Sequence, residues 1–321
     1  MSLRAVEDVF PVAGVFAIAR GSRTEARVVS VTITRAGTTG RGECVPYARY
    51  GESVESVIAQ IESLPEDIDR SALQDALPAG AARNAVDCAL WDWDAKAAGQ
   101  PVWARAGLAE PHPVETAYTL SLGSPESMRA KAVEHAWRPL LKIKLGGEGD
   151  VARLRAVRDG APKAELIVDA NEGWSPETYL QMAEILPEIG VSMIEQPFPA
   201  GNDAALRDLP RFAPICADES CHDRASLPDL ARKYDMVNVK LDKAGGLTEA
   251  LALTEAAIAA GFEIMVGCML GSSLGMAPAH LIAQRASVVD LDGPLLLAQD
   301  RSPPIRYEGA LMHPAEPALW G

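Results

Sequence analysis

From about residue 115 onward the sequence repeats one pattern: a short apolar run of strand length, then in most cases an amphipathic stretch of helix length. The runs fall near residues 115–121, 140–145, 164–169, 191–195, 214–218, 236–241, 262–267 and 287–292. Near-continuous apolar runs of this length read as strands buried on both faces. Eight of them in series, joined by crossovers, close into a parallel barrel more readily than they spread into an open sheet. That pattern rules out most other folds for the last two thirds of the chain.

The first third reads differently. Residues 3–10 and 27–35 have strand character, the second rich in β-branched side chains (Val28, Val29, Val31, Thr32, Ile33). Between them, Phe16 to Arg23 reads as a loop carrying Arg20 and Arg23. Helices are expected over 53–64 and from Gly80 to Ala98, where Ala85, Cys88, Ala89, Trp91 and Ala95 recur at helical steps. Four prolines (Pro303, Pro304, Pro314, Pro317) exclude a further barrel helix at the end. The expected division is an α+β cap over 1–112, a barrel over 113–295, and a segment 296–321 that returns to the cap.

With 44 acidic against 30 basic residues the chain carries a net charge of −14. A field of that sign repels nucleic acid and anionic membrane, so neither is an expected partner. Five cysteines, odd in number and without a C-x-x-C pair, read as reduced thiols. No run approaches the ~20 apolar residues of a membrane span, and Met1 to Asp8 lacks a signal-like apolar stretch. A cytoplasmic location is expected.

The chemistry gathers at the strand ends. Lys142 and Lys144 alternate with Leu141, Ile143 and Leu145, so both ammonium groups share one face of a strand. Mutual repulsion and burial are expected to lower their pKa values toward the range of a general base; a strand with one wet face is the plainer alternative. Asp169, Glu195 and Asp218 end three consecutive strands, 26 and 23 residues apart. Each alone could be a helix N-cap, but three converging on one barrel mouth require a cation, and an all-oxygen set suits Mg²⁺. Lys240 ends the strand four places from that of Lys144 in a ring of eight, which sets two lysines across the mouth for a two-base proton exchange. Lys243, in the following turn, is expected to be solvated. Asp290 and Asp292 turn to one face at the last strand and could meet a cationic group, although Asp292 also fits a turn.

Taken together, Lys142-x-Lys144, Asp169, Glu195, Asp218, Lys240 and Asp290-x-Asp292 closely resemble the enolase superfamily, in its branch of muconate-lactonizing enzymes and dipeptide epimerases. The resemblance implies an α/β fold, a (β/α)₇β modified TIM barrel with an α+β capping domain. It implies a Mg²⁺-dependent isomerase acting on a small dipeptide, L-Ala-L-Glu or L-Ala-D-Glu from murein. Mg²⁺ on Asp169, Glu195 and Asp218 would stabilise an enediolate, Lys144 and Lys240 would exchange roles with direction, and Lys142 would depress the pKa of Lys144. Asp290 and Asp292 would hold the α-ammonium group, and Arg20, with Arg23 as runner-up, would read the glutamate side chain. Family members often form homo-oligomers. Other readings on the same scaffold are o-succinylbenzoate synthesis, muconate cycloisomerisation or epimerisation of other dipeptides. A non-catalytic binding barrel is disfavoured, because unused charges at the mouth would only destabilise it.

Overall fold

The computed structural model describes residues 1–182 and 184–321. The chain starts with three antiparallel strands in sequence order, β1 (Ser2–Ile18), β2 (Gly21–Arg35) and β3 (Thr38–Cys44). The segment expected as a loop is the end of a hairpin: Phe16 pairs with Arg23, Ala17 with Ser22 and Ile18 with Gly21, leaving Ala19 and Arg20 at the turn. Gly21, at φ +140°, permits so tight a reversal. Three helices follow, α1 (Val54–Glu62), α2 (Arg70–Ala76) and α3 (Ala81–Ala98). Ser53 caps α1 by accepting from Ser56 N.

Strand β3 was not evident in the sequence because two of its residues are glycines, and the packing explains them. A Cβ at Gly40 would stand 2.2 Å from Ala89 O, and one at Gly42 2.1 Å from Ala85 O. The glycines, two apart on one face of the strand, meet alanines four apart on one face of α3. Helix backbone therefore lies directly on sheet backbone. Val29, Val31 and Ile33 of β2 join Val57, Ile61 and Leu73 in the same core. Helix α3 is buried on nearly all sides because it also faces the barrel, where Trp91 Nε1 donates to Thr248 Oγ1 at 2.9 Å and Arg83 to Ala244 O at 2.8 Å.

After β4 (Val114–Glu115) come the barrel strands β5 (Tyr118–Leu120), β6 (Leu140–Lys144), β7 (Glu165–Asp169), β8 (Val191–Glu195), β9 (Ile215–Ala217), β10 (Met236–Val239), β11 (Glu263–Gly267) and β12 (Val288–Asp290). They form one eight-stranded parallel sheet in strict sequence order, and Ala117 N donates to Val289 O at 2.8 Å across the seam. The fold is thus the modified TIM barrel with a cap. Two crossovers carry only short helical turns in place of a full barrel helix, Ala204–Arg207 and Leu227–Leu230. Strand β4 departs from the single run expected over 115–121: with β13 (Tyr307–Glu308) and β14 (Leu311–Met312) it makes a small separate sheet.

One residue from each strand region fills the closed end of the barrel: Ala117, Leu140, Ile167, Met193, Cys216, Met236 and Met265, with Val288 against them. The next inward positions, two residues on, are polar in every strand region but one, where Gly267 follows Met265. The C-terminal stretch does reach the first third of the chain. Arg301 Nη2 bridges Glu43 and Asp8 at 2.7 and 2.9 Å, and Trp320 Nε1 donates to Cys88 O at 3.0 Å.

Candidate active site

Two residues above the apolar plug on each strand the chain changes from packing to chemistry. Leu140, Lys142 and Lys144 point inward on β6, Ile167 and Asp169 on β7, Met193 and Glu195 on β8, and Met236 and Asn238 on β10 with Lys240 just beyond. Lys144, Asp169 and Glu195 are neighbours in register across three strands, and Asp218 follows β9 directly. Lysines and carboxylates interleave. Lys144 Nζ lies 2.6 Å from Asp169 Oδ2, and Lys240 Nζ 2.7 Å from Asp218 Oδ2. Lys142, 1% exposed, lies 2.6 Å from Glu195, 2.7 Å from Asp290 and 3.4 Å from Asp169.

This pairing sets the protonation. Burial opposes the charge on Lys142, yet the carboxylates of Asp290, Glu195 and Asp169 outweigh it and hold the amine well above its usual value. Lys240 is raised in the same way, against burial, by Asp218 and Glu195. The expected lowering of the lysine pair by mutual repulsion is therefore overturned for Lys142, because three carboxylates outnumber one neighbouring cation. Conversely Lys144 and Lys142 bring Asp169 down to about 2 despite its burial, and Lys240 and Lys243 hold Asp218 well below the usual carboxylate range. Glu195 is shifted upward by burial and by Asp169.

Lys144 and Lys240 both line one cavity of about 430 Å³, roofed by the hairpin tip and by Val45 to Tyr50. The two arginines of the hairpin behave differently. Arg20 is engaged through both terminal nitrogens, with Nη1 donating to Asn171 O (2.9 Å) and Glu172 (3.1 Å), and Nη2 to Tyr47 Oη (3.0 Å) and Glu219 (2.6 Å). Arg23 lines the cavity over the face of Tyr47, 5.5 Å from the ring centroid, and forms no ion pair among the described residues.

Residues 1–107 match the mandelate racemase / muconate lactonizing enzyme N-terminal domain, and residues 126–313 the enolase C-terminal domain-like family. The chain belongs to the enolase superfamily. It is 46% identical to the L-Ala-D/L-Glu epimerase of Escherichia coli, over 97% of this chain and 99% of that one. It is 44% identical to an N-acetyl-D-glutamate racemase of a Pseudoalteromonas species, over 88% and 91%. A crystal structure of a superfamily member from Agrobacterium tumefaciens with homology to dipeptide epimerases, holding sodium and L-Ala-L-Glu, matches with a TM-score of 0.98 at 53% identity over 99% of both chains. Another, a dipeptide epimerase from Cytophaga hutchinsonii complexed with Mg and D-Ala-L-Val, matches at 0.90 and 30% identity, over 98% of this chain and 94% of that one. Within the superfamily the chain is an isomerase.

Superfamily members use a divalent cation, and the donors here suit one. Asp169, Glu195 and Asp218 are all buried, all oxygen ligands, and on adjacent strand ends. The nearby Asn171 Oδ1 is buried with no hydrogen-bond donor among the described residues, and Glu195 Oε2 meets only Lys142 Nζ, 2.6 Å away. Among the described residues no three acidic side chains converge on one ion-sized point, because lysine ammonium groups stand between them. The residues fit the ion in kind and in their order on adjacent strand ends, with lysines as their partners in this arrangement.

Three further observations bear on the sequence-based expectations. Asp290 Oδ2 is bonded to Lys142 while its buried Oδ1 has no donor among the described residues, Asp292 Oδ2 accepts from Thr119 N at 2.6 Å, and neither residue lines the cavity. Burial, with Asp290 nearby, pushes Asp292 up to about 7. Lys243 is not solvated: it is 1% exposed, and its Nζ donates to Asp218 Oδ1 (2.6 Å), Asp218 O (2.5 Å) and Asn238 O (3.0 Å). The turn that should have exposed it is a short helix, Leu241–Ala244, which folds the side chain back under β9.

Two residues of the site went unremarked in the sequence. Asn238, fully buried, donates to Glu195 Oε1 at 2.8 Å, and its place two residues before Lys240 in an apolar strand was a usable signal. Gln196, at φ +35°, accepts from Asp218 N and Ser220 N and so ties β8 to β9; nothing in its sequence context marks that role.

Proposed function

We propose that the chain is a Mg²⁺-dependent dipeptide epimerase that interconverts L-Ala-L-Glu and L-Ala-D-Glu, serving the recycling of cell-wall peptide in the cytoplasm. The observation that carries this reading is the pair of lysines from strands four apart in the ring, Lys144 and Lys240, lining one cavity with three carboxylates between them. The 46% identity to an L-Ala-D/L-Glu epimerase supports the substrate. The absence of any helix apolar and long enough to cross a membrane, among the described residues, agrees with the location. The units 1–112, 113–295 and 296–321 would serve as cap, catalytic barrel and returning strap.

In this mechanism Asp169, Glu195 and Asp218 would hold the cation, which would supply stabilisation for the negative charge on the substrate carboxylate as the α-proton leaves. Lys144, as free amine, takes the α-proton on one face; Lys240, as ammonium, gives a proton to the same carbon on the other face, and the reverse reaction exchanges the two roles. Lys142 stays charged between Glu195 and Asp290 and fixes both. Arg23, without an ion pair among the described residues and facing the cavity, would read the glutamate side-chain carboxylate, in preference to Arg20, whose two terminal nitrogens are taken.

Asp290, through its donor-free Oδ1, and Asp292, after release from Thr119, would receive the α-ammonium group. A 44% identical relative, an N-acetyl-D-glutamate racemase, favours a second reading, racemisation of an N-acylated glutamate, which brings no ammonium group. The test is proton NMR in D₂O with Mg²⁺, on L-Ala-L-Glu and, separately, N-acetyl-D-glutamate. Loss of the glutamyl α-proton with appearance of the L,D diastereomer supports the dipeptide reading. Exchange only on the acylated amino acid transfers the assignment to the racemase, and exchange on neither overturns both.

A further inference from the structure

The hairpin tip sits over the site, and one of its residues reaches further than a substrate contact requires. Arg20 Nη1 donates to Asn171 O and Glu172 Oε2, in the loop after β7; its Nη2 donates to Glu219 Oε1, in the loop after β9. Glu172 in turn accepts from Ala200 N at 2.7 Å, in the loop after β8. Strands β7, β8 and β9 are those that end in Asp169, Glu195 and Asp218. A single guanidinium from the cap thus holds the loops behind all three carboxylates.

Those loops are not relaxed turns. Asn171 and Glu172 adopt φ of +45° and +68°, in the left-handed region that side-chain-bearing residues avoid. The consequence of that conformation is specific: Asn171 N points back and donates to Asp169 Oδ1 at 2.8 Å, while Asn171 O points out to Arg20. The two ends of one residue therefore link Arg20 to the carboxylate of Asp169. Arg49 braces the arrangement from the cap, donating to both oxygens of Glu172 at 2.9 and 3.0 Å. Glu219 stands next to Asp218, and its second oxygen, Oε2, has no donor although it is buried.

We propose that Arg20 is a positioning residue for the cation site: closure of the hairpin, through Arg20, sets the backbone turns that aim Asp169, Glu195 and Asp218. The cation and the closed cap would then favour one another, each binding more tightly in the presence of the other, as linkage requires. Arg20 and Arg23, three residues apart on the same tip, divide the work. Arg23 contacts the ligand, and Arg20 prepares the barrel to hold the ion. This assignment of Arg20 rests on the reading above only for the identity of the substrate used to measure selectivity.

The test compares Arg20→Met, Arg20→Lys and Arg23→Met in the full-length protein. Mg²⁺ alone, without substrate, is titrated calorimetrically into each, and the selectivity between L-Ala-L-Glu and L-Ala-L-Gln is measured by kcat/KM. Outer partners of metal ligands are worth about 10- to 100-fold in affinity. Arg20→Met is expected to weaken Mg²⁺ by at least about tenfold, with kcat reduced for both dipeptides and the Glu:Gln ratio unchanged. Arg20→Lys keeps the charge and one of the four bonds, and should fall between; it also supplies the measurement if the methionine variant does not fold. Arg23→Met is expected to leave Mg²⁺ affinity at the wild-type value and to reduce the Glu:Gln ratio.

Wild-type Mg²⁺ affinity in a folded Arg20 variant overturns the proposal, as does a Glu:Gln ratio that collapses when Arg20 is replaced. If the wild-type protein acts on no dipeptide, the substrate reading fails, while the Mg²⁺ titration still decides the role of Arg20.

Discussion

The two sides of the barrel mouth solve one problem with different pieces of chain. On one side Lys144 is paired with Asp169, and a second buried lysine, Lys142, stands beside it on the same strand. On the other, Lys240 is paired with one oxygen of Asp218 and a second buried lysine, Lys243, takes the other oxygen. Each catalytic candidate shares a carboxylate with an inner lysine that does not face the cavity. The inner lysines differ in origin: Lys142 lies two residues back along a strand, whereas Lys243 lies three residues on, across a strand-to-helix junction. Chemistry demands a charge balance at the mouth, and the fold supplies it by whatever geometry the local backbone allows.

That comparison can be broken most directly at the outer lysines. Lys144→Ala and Lys240→Ala should each reduce epimerisation by at least about a thousandfold, read by chiral chromatography of the products. Retained turnover in one variant would reduce the symmetric pair to a single base. The inner lysines come next. Truncating one partner of a buried ion pair costs about 3–5 kcal/mol. Lys142→Met should lie near the top of that range, since it strips three carboxylates of their partner, and Lys243→Met near the bottom; urea denaturation of both measures the order.

The contrast between an engaged and a free group recurs on the cap, between Arg20 and Arg23. Charge-assisted hydrogen bonds contribute about 1.5–3 kcal/mol, so Arg23→Met should raise KM for L-Ala-L-Glu by about tenfold or more and leave L-Ala-L-Gln nearly unaffected, by steady-state kinetics.

The smallest effect concerns a group present only on the Lys240 side. Asp242, in the same short helix as Lys243, accepts from Val45 N (3.0 Å) and Asn84 Nδ2 (2.8 Å) of the cap, and burial pushes it up to about 7. The folded state then binds a proton that the unfolded state has lost. Stability from this group is full below the ordinary carboxylate pKa and falls as pH rises to about 7. The slope reaches at most about 1.4 kcal/mol per pH unit. Asp242→Asn should flatten it, as seen in denaturation midpoints at pH 4.5 and 7.

The barrel was legible because its signal is local and repeated: Val191–Glu195 and Glu165–Asp169 are apolar runs that end in the residue that matters. Lys142 and Lys144 were legible by alternation. Lys243 was not, because its burial depends on a helix of four residues whose direction no periodicity reports. Strand β3 was hidden for a related reason, since Gly40 and Gly42 carry no strand propensity and make sense only against Ala85 and Ala89 of α3. Likewise the division between Arg20 and Arg23 depends on partners 151 to 199 residues away.

The ring of apolar side chains at the barrel's base, from Ala117 round to Met265, has a consequence for traffic. It makes the mouth a blind alley. Substrate and product must share one doorway, beneath the hairpin, and the two diastereomers must pass each other there in time and not in space. On the epimerase reading each turnover would end with the tip lifting, and its speed would be bounded by how often that doorway clears.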